Sequence, residues 1–298
     1  RYSSIPSGRE NALLTSPRCQ PSRRTPTCGR DHSRSARGHR ADGDARAQLT
    51  IHCARAKPVL STADEPAPLS IVNAAYGGAW ASLLLYAFGI APGEFGAASD
   101  TAMLQNIISN PADPTSAGSL IWFAIFNLFA VIPVVLAALL LPTAKGQRLP
   151  ATPFVLGSAF AGFFALGPYM ITRSPEVEPD GDLPWVVRSI NSRVCAASIL
   201  TFLVAIAFTS QLYTVTDWGA ETTKFAVLFS SSKFVAVSCA DLFLLCSTAA
   251  FLAGEDATER GLGHASSNQL TAACLVLPVL GPALWLLLRP DLDADIEK

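Results

Sequence analysis

One acid stands inside the long apolar runs of this 298-residue chain, Asp241 in Ser232-Lys233-Phe234-Val235-Ala236-Val237-Ser238-Cys239-Ala240-Asp241-Leu242-Phe243-Leu244-Leu245-Cys246. A carboxylate in hydrocarbon costs a few kcal/mol unless it pairs, is protonated or faces a bundle interior. Two chemistries suit it. It can bind a proton or cation on a solute path, or it can hold two helices together by a hydrogen bond. Asn127, Ser238 and Arg193 are its candidate partners. Lys233 lies eight residues earlier, about 12 Å along a helix, too far for a pair on one straight helix. It is expected to reach toward the headgroups.

Other chemistry is thin. His32, His39 and His52 lie near the N-terminus and His264 in a polar loop, so no apolar run holds a histidine for haem or chlorophyll. There is no Gly-x-Gly-x-x-Gly, phosphate loop or His-Glu-x-x-His, and no nucleophile–base pair in a run. The seven Cys lack Cys-x-x-Cys spacing and read as small apolar side chains. Asp256 and Arg260, four apart, read as an ion pair on an exposed helical turn. A non-enzymatic protein without a metal is the expectation.

The elements that must position these residues follow from composition. Half of the residues are hydrophobic, 15% are charged and the mean hydropathy is +0.34. Soluble domains carry about 25% charged residues, so the chain reads as a membrane protein. The net charge of −1 divides into +8 over residues 1–57 and −9 over the rest. Residues 1–57, rich in Arg and Ser, read as a disordered basic presequence of the organelle-import kind rather than a nucleic-acid arm. Residues 58–70 are a Pro-rich linker, 71–290 the transmembrane domain and 291–298 an acidic tail.

Six apolar runs fill that domain: Ile71–Ile90, Ser119–Leu141, Pro153–Thr172, Val194–Val215, the Asp241 run to Ala253, and Leu270–Leu288. Roughly 20 apolar residues cross a bilayer. The expected fold is therefore an all-α bundle of five or six transmembrane helices, the first being the least apolar. Thr101–Ser109 reads as a short amphipathic helix. Pro133, Pro168, Pro278 and Pro282 interrupt three runs, and each proline frees a carbonyl that a neighbour must satisfy. No inverted repeat is visible between 71–172 and 194–288. Basic residues are spread too evenly to fix the orientation.

Phe126-Asn127-Leu128 with Pro133, Leu139–Pro142, Pro153-Phe154, Gly167-Pro168-Tyr169, Ser232-Lys233-Phe234 with Asp241, Asp256 with Arg260, Leu277-Pro278, Gly281-Pro282 and Arg289-Pro290 form an ordered set. On these residues the chain, over roughly 119–290, resembles an uncharacterised family of multi-spanning membrane proteins of plastids and cyanobacteria. At Ala253-Gly254-Glu255-Asp256 it departs from the aromatic-rich approach expected there. The resemblance implies a plastid membrane, thylakoid before envelope, and no particular activity.

The leading expectation is a non-enzymatic accessory subunit or assembly factor of a photosynthetic complex. Trp122, Phe123, Phe126, Phe129, Phe160, Phe163 and Phe164 would pack on lipids, complex subunits or a carotenoid, and chlorophyll would bind without a membrane histidine. The alternative is a transporter of a small solute or ion using Asp241.

Overall fold

The computed structural model describes residues 70–174 and 184–290. The basic presequence, the linker up to residue 69 and the acidic tail lie outside the described residues. Within them the fold is the expected all-α membrane bundle, with ten α-helices: α1 (Ile71–Leu85), α2 (Ala98–Ser109), α3 (Leu120–Leu140), α4 (Ala151–Thr172), α5 (Trp185–Ile190), α6 (Arg193–Thr209), α7 (Trp218–Ser231), α8 (Lys233–Glu259), α9 (His264–Val276) and α10 (Leu280–Leu288). Five helical stretches are long and apolar enough to cross a membrane: 71–90, 120–143, 151–172, 193–214 and 233–259.

Helix α8 sets the frame. Its 27 residues give ~40 Å, more than the hydrocarbon core. Ser232 accepts the Val235 N–H and caps its start. At the Lys233 end lie the start of α3, whose Trp122 ring meets Phe234 edge-on at 5.8 Å, and helices α2 and α7. At the Glu259 end lie the end of α4, through Arg173–Glu255 at 2.6 Å, and the start of α6 with the end of α10, through Arg289, Asn191 and Asp256. The start of α1 joins them: Asn73 donates to the carbonyls of Ile171 and Arg173 at 2.6 and 2.8 Å.

Two of the apolar runs spend their length on turning back. Helix α4 is interrupted at Gly162, with φ 56° and ψ −137°, a conformation that only glycine adopts readily. The Phe154 and Tyr169 rings lie 5.8 Å apart. Fifteen residues of straight helix would separate them by about 22 Å. Gln147, before α4, exchanges two hydrogen bonds of 2.8 Å with Ser174, after it. Both ends of α4 therefore sit at the Glu259 end, and Gly162 is the tip of a helical hairpin inside the bundle.

The sixth run does the same. It is split into α9 and α10 by Pro278, which has no N–H to give, and by Val279 at φ 63°. A Cβ on Gly281 would lie 2.8 Å from the Cys274 Cα, so the limbs are in contact where they diverge. Thr258 bonds Ser267 at the start of α9, and Arg260 donates to the Pro290 carbonyl after α10. This hairpin too enters from the Glu259 end.

The order is thus repeated directly: span, short helix, span, hairpin over α1–α4, then again over α6–α10. The copies exchange caps. Asp100 on α2 accepts the Phe234 N–H of α8 at 3.4 Å, and Glu221 on α7 accepts the Leu120 N–H of α3 at 2.7 Å. A carboxylate at a helix start satisfies orphan donors and favours the helix dipole.

Candidate functional site

The tip of the α4 hairpin leaves a second helix start within the bundle, at Phe163. Its free N–H groups need an acceptor where water is scarce. Asp241 supplies it. Its Oδ1 accepts the Phe163 N–H at 2.7 Å, and the Phe164 N–H is directed at the same carboxylate. Asp241 is 5% exposed. The contact is so close that a Cβ on Gly162 would fall 1.6 Å from Asp241 Oδ2. Gly162 is therefore required twice, for its backbone angles and for its missing side chain.

Further along, Pro168 cannot donate to the Phe164 carbonyl one turn back. Trp80 of α1 does so instead, through its indole N–H at 3.1 Å. The carbonyl freed by that proline is thus satisfied from a neighbouring helix, as a proline in a membrane helix demands.

Asp241 also borders a cavity of about 590 Å³. Phe126 and Phe129 of α3, Phe160 and Phe164 of α4, and Ser238 line it around the carboxylate. Towards the Lys233 end it is bordered by Glu94, Phe95, Asp100 and Lys233. The Lys233 ammonium sits 4.6 Å from the centre of the Phe95 ring, a cation–π distance. Among the described residues three acids and one base line the space, which favours a cation over an anion.

The other proposed partners sit elsewhere. Asn127 donates to the Phe123 carbonyl of its own helix at 2.8 Å. Arg193 opens α6 at the Glu259 end, whereas Asp241 lies nearer the Lys233 end. Ser238 shares the cavity with Asp241, one turn along α8. The hydrogen bond that fixes Asp241 goes to backbone on α4, which a search among polar side chains could not find.

Asp256 and Arg260 correct the sequence reading. They are ion-paired at 2.9 Å, but their side chains are only 9% and 4% exposed, not on a solvated turn. Asp256 also accepts the Trp285 indole N–H at 2.7 Å and the Arg289 guanidinium at 3.3 Å. Arg289 reaches on to Asn191. The cluster locks the α9–α10 hairpin to the end of α8 because every buried charge in such a knot needs its partners.

Glu221 lies outside the spanning helices and is 4% exposed. Burial pushes its carboxyl pKa up, but hydrogen bonds from Ser119, the Leu120 and Ile121 N–H groups and Lys224 outweigh burial and hold it below the ordinary range. Sequence reasoning missed Gly162, Trp80, Asn73, Asp100 and Glu221. The only mark of the hairpin was the density of glycine in the third run, Gly157, Gly162 and Gly167.

Among the described residues no group of three or more His, Cys, Asp or Glu could hold a metal ion. Cys195, Cys239, Cys246 and Cys274 are unbridged. No protein-family model, curated protein or solved structure matches the chain.

Proposed function

We propose that this membrane protein moves a small cationic solute or ion, with Asp241 at the α4 hairpin tip as its binding group. The observation that carries the reading is a buried carboxylate at a break in a helix, on the wall of a cavity. Broken backbone at membrane depth is tolerated where it is buried in protein or lines a water-filled space, and half-helix ends are where carriers place their sites. The cap uses part of the carboxylate's acceptor capacity, and the remainder borders the cavity. A purely structural acid needs no cavity beside it, which ranks this reading above a helix-holding role.

A plastid membrane, thylakoid before envelope, is the proposed location. The Arg- and Ser-rich, acid-poor residues 1–57 and the resemblance over 119–290 support it. Membership in a photosynthetic complex ranks second. Exposed rings at Phe88, Phe160, Phe202 and Phe208 favour an apolar neighbour, and lipid provides one equally well.

The test is flux in proteoliposomes loaded with methylammonium, sodium or potassium. The wild type is expected to dissipate at least one of these gradients faster than Asp241→Asn. Equal rates for wild type, variant and empty vesicles would remove the reading, and co-migration with a photosystem on native gels would promote the second.

A further inference from the structure

A second cavity, of about 540 Å³, lies on the opposite side of the hairpin tip. It is bounded by α1, α8 and α9 and runs toward the Glu259 end, past Ser247, Thr258 and Ser267. The two cavities divide α8 between them. The first takes residues 233–241 and the second residues 243–258. They also divide the hairpin tip. Gly162 and Phe164 face the first, and Phe163 alone of α4 faces the second.

Phe163 is 1% exposed, and its ring meets that of Tyr76 on α1 at 6.4 Å. Its backbone N–H is the group held by Asp241. Phe163 therefore stands between the two linings, with its backbone N–H on the Asp241 side and its ring on the Tyr76 side. It is fixed from one side by the carboxylate and backed from the other by Tyr76.

We infer that the two cavities are the opposite vestibules of one path for small cations, with the Phe163 ring as the partition between them. The inference rests on the solute-moving role proposed for Asp241 and adds the route and its barrier. The first cavity is lined with an excess of acids, and the second is close to neutral. Among the described residues Glu255 is the only charged one lining it, and Arg173 neutralises this acid at 2.6 Å from the adjoining end of α4. Hydroxyl and amide groups of Thr248, Thr271 and Asn268 add to its polar wall beside Ser247, Thr258 and Ser267. Among the described residues neither cavity offers the excess of positive charge that an anion needs.

Two measurements on the full chain test this. In a cysteine-free background, Ser238→Cys and Ser247→Cys would be exposed to a membrane-impermeant thiol reagent added to one side of sealed vesicles at a time. The two are expected to react from opposite sides. In proteoliposomes, Phe163→Ala is expected to release trapped methylammonium at least tenfold faster than wild type, with chloride release unchanged, while Phe163→Trp stays sealed. Labelling of both cysteines from the same side overturns the inference. So does a Phe163→Ala protein with unaltered helix content and wild-type flux. A wild type that moves no cation beside a leaking Phe163→Ala supports the partition and removes the carrier role, so the two claims can fail separately.

Discussion

Asp241 Oδ1 accepts the backbone N–H of Phe163 at 2.7 Å, joining α8 to the tip of a hairpin that starts 90 residues earlier in the chain, at Ala151. The carboxylate is only 5% exposed, so the bond is stronger than a surface cap. Asp241→Ala should lower unfolding free energy by about 1–3 kcal/mol, the cost of an unmade buried bond to a charged group. Asp241→Asn keeps an acceptor oxygen and should lose less. Chemical denaturation in detergent, followed by circular dichroism, measures both. Equal losses would mean that charge, not acceptance, is what the hairpin needs.

Gly162→Ala should be more damaging than Asp241→Ala. The positive φ alone costs about 1–3 kcal/mol for a residue with a Cβ. The new methyl would also overlap Asp241 Oδ2, which lies 1.6 Å from its ideal place. Gly78→Ala, where nothing lies within 4 Å, is the control and should be neutral or slightly stabilising. A folded Gly162→Ala protein with unchanged stability would contradict the hairpin geometry.

Trp80 and Pro168 should be coupled. Trp80→Phe removes the donor to the Phe164 carbonyl at a cost of about 1 kcal/mol. Pro168→Ala returns a backbone N–H one turn away from the same carbonyl. In the double variant the loss from Trp80→Phe should shrink, with a coupling of about 0.5–1.5 kcal/mol in a double-mutant cycle. Strict additivity would mean that the indole does not satisfy that carbonyl.

Glu221 gives a pH signature. Its carboxyl is held below the ordinary value of 4.5 in the folded chain, by hydrogen bonds that outweigh burial. Its contribution is therefore fully present above that ordinary value and fades as pH falls through the lower folded one. Thermal stability of wild type minus that of Glu221→Gln should be constant from neutral pH down to the ordinary carboxyl range and narrow below it. A gap that widens on acidification would reverse the sign and sink the assignment.

Asp256→Ala removes the carboxylate shared by two buried guanidinium groups, on Arg260 and Arg289. Removing one member of a buried ion cluster costs about 3–5 kcal/mol. The expected outcome is loss of that order, with proteolysis appearing first in the α9–α10 hairpin. A loss under about 1 kcal/mol would return the pair to the exposed-turn reading made from spacing alone.

Much of the fold was legible because hydrocarbon demands apolar length, and runs such as Ser119–Leu141 show it without ambiguity. Thr101–Ser109 was legible for the same reason that any short helix with stop signals is, and it forms the greater part of α2. What length does not show is whether a run continues or folds back. Leu270–Leu288 has the length of a span, yet Pro278 and the left-handed Val279 turn it into two limbs. The third run gave less warning, since Gly162 looks like any glycine in a membrane helix until its φ is known. The direct repeat was hidden because its two hairpin tips use different residues, Gly162 in one and Pro278-Val279 in the other. Asp241 stood out by type, but its partner is a main-chain N–H, and main-chain donors leave no mark in a sequence.

Both the site and the path depend on α4 folding back at Gly162. Spin labels at Thr152 and Thr172, both exposed, measure this directly by pulsed dipolar spectroscopy in the reconstituted protein. The folded-back hairpin predicts a distance well under 20 Å, given the 5.8 Å between the Phe154 and Tyr169 rings just inside the labels. A straight helix would place the two positions ~30 Å apart, and that result would contradict the account.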